Sequence, residues 1–207
     1  NKCESVMILF FLLLTGLTSW QAFQNQSLLS KMLLEPYAVK HRGQFYRLFS
    51  HMLIHADFAH LAFNMMTLYF IGSYLESIWQ IQFGEQKALI YIILLYVIGG
   101  LSATLWPMLR HQDDPGYRSL GASGAVSAIL FAFILWDPTQ SLYLMFIPIP
   151  IPAYVFGPLY LAFEYYSMRK GKTGIAHDAH IGGAIFGILF VLLIAPEKGM
   201  QFVHLFL

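Results

Sequence analysis

The sequence predicts an all-α membrane protein, a six-transmembrane-helix bundle with a long interfacial first loop, forming a single domain over residues 1–207. Three observations carry this. Of 207 residues, 57% are hydrophobic and 16% aromatic but only 11% charged, and the mean hydropathy of +0.59 lies outside the range usual for soluble chains. Mainly apolar runs of about 20 residues, the length needed to cross a hydrocarbon core, recur along the chain. Together with their connections they leave no stretch over for a soluble domain. A net charge of +1, with no basic stripe interleaved with aromatics, argues against a nucleic-acid partner and leaves the lipid bilayer as the environment.

The expected spans cover about 5–23, 59–79, 88–108, 121–136, 141–166 and 176–195. Val6 to Trp20 has the apolar character of a signal-peptide core, but no small-x-small cleavage site follows, so it is taken as the first span. The chain does not begin with methionine, and residues upstream of Asn1 are expected. Cys3, the single cysteine, has no internal disulfide partner. From Gln21 to about Phe58, charged residues such as Lys31, Glu35, Lys40 and Arg42 mix with Leu33, Tyr37, Phe45 and Tyr46. Such a stretch is too long and aromatic for a plain linker, and short interfacial helices are expected there.

The second span carries His60, Asn64 and Glu76 among apolar residues. Polar groups inside a span are costly and mark either function or buried partners. The third span is interrupted by Gly99-Gly100 and stops near Pro107, and Asp113 to Gly116 supply turn chemistry. The fourth runs from Gly121 to Asp137-Pro138. The fifth holds prolines at 148, 150, 152 and 158, so it should be kinked, unwound or tilted. A basic loop, Arg169-Lys170-Gly171-Lys172, leads into the sixth.

Two glycine-rich helix starts draw attention. Gly121-Ala122-Ser123-Gly124 opens the fourth span and His180-Ile181-Gly182-Gly183 lies at the start of the sixth. Small residues there serve close helix packing, and a lone serine among them more often bonds its own backbone than does chemistry. Counting membrane crossings, however, brings both starts to one face. Gly183 and Gly187 on one span, and Gly124 and Ala128 on the other, offer matched four-residue grooves. A serine becomes a nucleophile when a base stands within about 2.6–3.2 Å, and His180 can be that base for Ser123. The second span begins at the same face. His60 and Asn64, one turn apart, can both donate to one oxygen, as an oxyanion site requires; interhelical glue is the simpler reading of either residue alone. Asp178 is two residues from His180 and does not share its helical face, so a dyad is expected. His51, His55, His60, His177 and His180 do not form a metal motif: HExxH is absent, and Glu76 is about four turns from His60. Neither a metal nor another cofactor is expected.

The set resembles the rhomboid family of intramembrane serine proteases over the whole chain. The resemblance rests on Gly121-Ala122-Ser123-Gly124, on Ala179-His180-Ile181-Gly182-Gly183 followed by Gly187, on His55, His60 and Asn64 in order, and on Tyr46-Arg47 in the first loop. The proline-rich run Phe146 to Ala153 is similar to bacterial members. The resemblance implies Ser123 as nucleophile and His180 as general base and then acid, with His60, Asn64 and the Ser123 backbone N–H holding the oxyanion. It implies loop-organising roles for His55 and Arg47, transmembrane-helix proteins as substrates, and the fifth span as a lateral gate. It also implies a multi-pass protein of the bacterial inner (plasma) membrane with the active site toward the outer face.

Two positions depart from the family pattern. Ser127 stands where some members carry a tyrosine packed on the catalytic histidine, so His180 needs another group to orient it. Gln44 stands where a member may carry an acidic partner for Arg47. The family orientation also puts nine basic residues outside, among them Arg169, Lys170 and Lys172, against three inside, Lys2, Lys87 and Lys198, the reverse of the positive-inside rule. A catalytically inactive relative that binds transmembrane helices as adaptor or chaperone is the alternative function, and it has no chemical reason to keep Ser123, His180, His60 and Asn64 together. A channel or transporter would show paired broken helices in two halves, and only the fifth span is broken.

Overall fold

The computed structural model describes residues 5–144, 147–171 and 174–207; Lys2, Cys3, Phe146 and Lys172 lie outside the described residues. Helix α1 covers Val6–Gln24, followed by the short helices α2 (Gln26–Met32), α3 (Pro36–Arg42) and α4 (Arg47–Ser50) and a 3₁₀ turn His51–Leu53. Then come α5 (Phe58–Thr67), a π-helical turn Leu68–Gly72, α6 (Ser73–Phe83) and α7 (Glu85–His111). The chain continues through α8 (Ser123–Trp136), strands β1 (Ser141–Leu144) and β2 (Ile147–Pro152), α9 (Ala153–Lys170), α10 (His177–Ile194) and α11 (Glu197–Val203). Three of these, α1, α7 and α10, are long and apolar enough to cross a membrane, and α8 is a shorter apolar helix. Their outer faces carry exposed Phe10, Leu13, Leu17, Ile90, Leu105 and Leu193, side chains that lipid accepts and water does not.

Helix α8 sits at the centre. Every residue from Gly124 to Trp136 is buried, so the helix is apolar all round and reads as surrounded by protein. Its 14 residues rise about 21 Å at 1.5 Å each, less than the roughly 30 Å of a hydrocarbon core. α7 and α10 pack on it and on each other most closely, and small residues make this possible. A Cβ on Gly183 would overlap the Gly124 carbonyl oxygen, and one on Gly187 the Ala128 carbonyl oxygen. These are the grooves that the four-residue spacing predicts. At the far end from Ser123, Trp79 packs edge-on to Trp136 with ring centroids 5.6 Å apart, beside Phe190 and Tyr91.

The expected second span is one helix with a π turn in its middle, where Gly72 lets Ile8 of α1 approach to 2.7 Å of the position a Cβ would take. Glu76 is fully buried, and its carboxylate accepts from the Met7 and Ile8 backbone N–H groups at 3.1 and 3.0 Å. An anion at a helix start satisfies donors that have no intrahelical carbonyl.

The expected fifth span, 141–166, divides instead. Ser141–Leu144 and Ile147–Pro152 pair as an antiparallel ribbon, and the helix starts at Ala153 and runs to Lys170 with Pro158 inside it. The reason is the alternation of isoleucine and proline. The Gln140 carbonyl accepts from Ala153 N–H at 2.8 Å, and Leu142 pairs with Ile151. Pro150 and Pro152 occupy the alternate positions, where a strand's N–H points away from its partner, so no ladder bond is lost.

Candidate active site

Four segments converge where α8 begins. Arg47 is buried, donating from Nη1 to the Ser30 and Leu33 carbonyls at 3.1 and 2.7 Å and from Nε to Gln44 Oε1 at 2.6 Å. The Glu35 carboxylate lies 3.7 Å from the same guanidinium. Gln44 thus makes a neutral contact to Arg47, and the negative charge comes from Glu35. This knot ties α2–α4 together. Leu34 and Ser119 then exchange backbone bonds of 2.9 and 3.1 Å, and Gly121 N–H donates to the His51 carbonyl at 2.9 Å. The segment that enters α8 is therefore held by the segment around Arg47.

His55, fully buried, completes the anchor. The Ser19 hydroxyl donates to the Leu53 carbonyl at 3.0 Å, leaving its oxygen to accept from His55 Nδ1–H at 2.9 Å. His55 Nε2 is then free to accept the Ala122 N–H at 3.4 Å, one residue before Ser123. Burial pushes the His55 imidazole down to about 3, with the nearby His60 ring adding to the effect and Asp57 opposing it. Burial likewise holds His51 down at about 4, against the opposing hydrogen bond from its Nδ1 to the Arg47 carbonyl. Both rings are neutral scaffold groups.

Ser123 Oγ lies 2.7 Å from His180 Nε2. Gly121, at φ 118°, adopts a backbone conformation that a side chain resists. A Cβ there would stand 2.7 Å from His60 Cε1, 3.0 Å from His60 Nε2 and 3.7 Å from Ser123 Oγ, so glycine leaves open a small space that His60 and Ser123 both border. The Asp57 carboxylate accepts from the His60 N–H at 2.8 Å and fixes where α5 starts. One turn further on, the Asn64 side chain is buried, and its Nδ2 has no hydrogen-bond partner among the described residues. An unmet buried donor costs about 1–3 kcal/mol, a cost expected where a donor waits for a ligand. The Ser123 N–H stands in the first turn of α8, where helix N–H groups lack an intrahelical acceptor. A cavity of about 20 Å³ borders Ser123, Gly121 and Gly124, enough for about one water.

Two groups at this site escape the sequence reading. Glu164 of α9 is buried, and its Oε1 accepts from His180 Nδ1 at 3.0 Å while its Oε2 accepts from His177 Nδ1. Asp178 is turned to the adjacent Ala179 N–H, 2.9 Å away. Ser127 bonds the Tyr160 hydroxyl of α9 at 3.1 Å. An acidic residue within an apolar helix is itself a signal of function or of buried partners, and Glu164 carries that signal. Glu164, His177 and His180 also bring ligand atoms within 4.8 Å of one another, a spacing a divalent ion can use. Here both imidazole nitrogens are already satisfied by separate carboxylate oxygens.

Comparison with known proteins bears on the family of the chain. A family model described as the rhomboid domain matches residues 42–197. Among curated proteins, the chain is 28% identical over 180 residues to RHOMBOID-like protein 12, mitochondrial, of Arabidopsis thaliana, covering 80% of this chain and 51% of that one. It is 34% identical over 180 residues to RHOMBOID-like protein 2 of Arabidopsis thaliana, covering 86% and 52%. To the rhomboid protease AarA of Providencia stuartii it is 27% identical over 186 residues, covering 78% and 61%. The chain thus spans about half the length of the first two relatives.

Proposed function

The chain belongs to the rhomboid family and is an integral membrane protein, and from that premise we propose that it is a serine endopeptidase that hydrolyses peptide bonds in or near transmembrane helices. The observation that carries the reading is the 2.7 Å contact between Ser123 Oγ and His180 Nε2. In the proposed reaction His180 Nε2 takes the hydroxyl proton as Oγ attacks the scissile carbonyl, and the oxyanion forms toward His60, Asn64 and the Ser123 N–H. His180 then gives the proton to the leaving amine as the peptide bond breaks. Water then attacks the acyl-enzyme with His180 Nε2 as base, and the proton passes to Oγ as the ester bond breaks, restoring the serine. The orphan Asn64 donor supports its assignment, since an oxyanion would supply the acceptor it lacks.

Substrate entry is proposed between α5 and α9. α9 leans on α10 and α8, and an apolar groove of about 220 Å³ runs beside it, lined by Phe63, Met66, Phe70, Leu130 and Phe156 among others. A lipid-embedded helix can enter such a groove without meeting a charged side chain. The proposed arrangement is six spans: α1, the α5–α6 helix, α7, α8, α9 and α10. A bacterial plasma membrane, with the Ser123 end outward, is the proposed location, supported by the bacterial relative.

Reconstitution in proteoliposomes with a panel of tagged single-pass membrane proteins tests the reading. Cleavage near the membrane face, absent with Ser123→Ala, is expected. No cleavage of any panel member by folded wild type would favour the helix-binding alternative.

A further inference from the structure

His180 can act as base only if its proton sits on Nδ1 and its ring is held with Nε2 toward Ser123. Neither condition is met by α8 and α10 alone: Ser127 of α8 is too short to pack on the ring and is turned to Tyr160, and Asp178 of α10 is turned to the Ala179 N–H. Both conditions are met by a group on a different helix. With His180 Nδ1–H donating to Glu164 Oε1, Nε2 is left as the acceptor for the Ser123 hydroxyl, so one bond fixes tautomer and orientation together. The carboxylate would swing if held at one oxygen only. His177 Nδ1 takes the second oxygen from the other side, and both side chains are about 95% buried.

We propose that Glu164 is a positioning residue for His180, extending the Ser123–His180 pair to a third member supplied by α9 and braced by His177. The inference rests on the protease reading. It has a mechanical consequence: the helix that borders the substrate groove also carries the group that holds the base. Any displacement of α9 that breaks the Glu164–His180 bond switches the site off, so substrate must enter with the Glu164 end of α9 in place and the movement confined to its Ala153 end. The proline-rich ribbon joins α9 at that end. A carboxylate in this place also stabilises the imidazolium formed when Ser123 gives up its proton, at a depth where solvent does not screen the pair.

The test compares Glu164→Gln and His177→Ala with wild type in detergent, measuring labelling by a fluorophosphonate and kcat and KM for a cleaved substrate. Wild type must first label at Ser123; failure there contradicts the protease reading and not this one. Glu164→Gln presents an amide that can accept from one imidazole only. It is expected to lower kcat and the labelling rate by about 10²–10⁴-fold, the range for general acid–base catalysis and at most the loss of about 10⁴ for a comparable change in a serine triad, with KM within about threefold. His177→Ala keeps the carboxylate and should lose about tenfold. A merely structural Glu164 would instead leave kcat unchanged in the folded fraction, or change KM alone, and either result overturns the proposal. Should Glu164→Gln fail to fold, ¹⁵N-histidine NMR of the wild type decides: an Nδ1–H tautomer for His180, assigned by loss in His180→Ala, is expected, and an Nε2–H tautomer overturns it.

Discussion

Gly183 of α10 lies against Gly124 of α8 so closely that a methyl group on Gly183 would overlap the Gly124 carbonyl oxygen. Ser123 precedes one partner and His180 is three residues before the other. The short hydrogen bond between them is therefore a consequence of backbone contact, set by two residues that do no chemistry.

Gly183→Ala should accordingly cost both stability and activity. Overpacking a close contact costs about 1–3 kcal/mol, and here the obstacle is backbone, which does not rotate away. A thermal midpoint lowered by several degrees in detergent and turnover down more than tenfold are expected. Gly182→Ala is the control: its Cβ would stand 3.3 Å from Ala103 Cα, tight but not overlapping. It should lose much less, and equal losses would contradict the pairing.

Asn64→Ala separates function from stability. If Nδ2 waits for an oxyanion, its removal should lower kcat by about 10²–10³-fold, as for other single oxyanion donors, with KM little changed. The folded protein loses an unmet donor and should keep its thermal midpoint within a few degrees. A large loss of stability would instead assign Asn64 to packing.

Much of this site was legible in the sequence, for a physical reason. Close helix contact demands small residues at four-residue spacing, and Gly124/Ala128 and Gly183/Gly187 display it without any knowledge of the fold. The chain order of His55, His60, Asn64, Ser123 and His180 carries the family resemblance directly. Glu164 is different, because its partners lie 13 and 16 residues away across a turn, and no local periodicity links a carboxylate to them. The β ribbon was hidden by its own composition. Ile147 to Pro152 has a period-two pattern suited to a strand, but its apolar character also suits a membrane span, and the prolines alone indicate distortion without saying which kind.

Arg47→Lys should not rescue Arg47→Ala. The guanidinium serves two carbonyls from Nη1 and the Gln44 amide oxygen from Nε, a planar geometry an ammonium cannot reproduce. Each hydrogen bond of a charged donor to these partly buried carbonyls contributes about 1.5–3 kcal/mol at most. Both variants should unfold at lower temperature, and a lysine variant as stable as wild type would show that charge alone holds the loop.

Acid should weaken the fold through His51 and His55. Both are held neutral in the folded protein, at about 4 and about 3 against an ordinary 6.5. The unfolded chain binds protons at these sites first, so the stability they contribute is present above about pH 6.5 and is lost progressively as pH falls toward 4 and below. His51→Gln should flatten the fall in thermal midpoint between pH 6.5 and 4.5 relative to wild type; an unchanged slope would contradict a neutral buried His51.

The most direct test of the central claim is covalent labelling of the purified protein in detergent by a fluorophosphonate, comparing wild type with Ser123→Ala and His180→Ala. An activated serine predicts labelling of the wild type, one adduct per chain on Ser123, and none in either folded variant. A folded wild type that does not label, or labelling that persists in Ser123→Ala, would contradict the account.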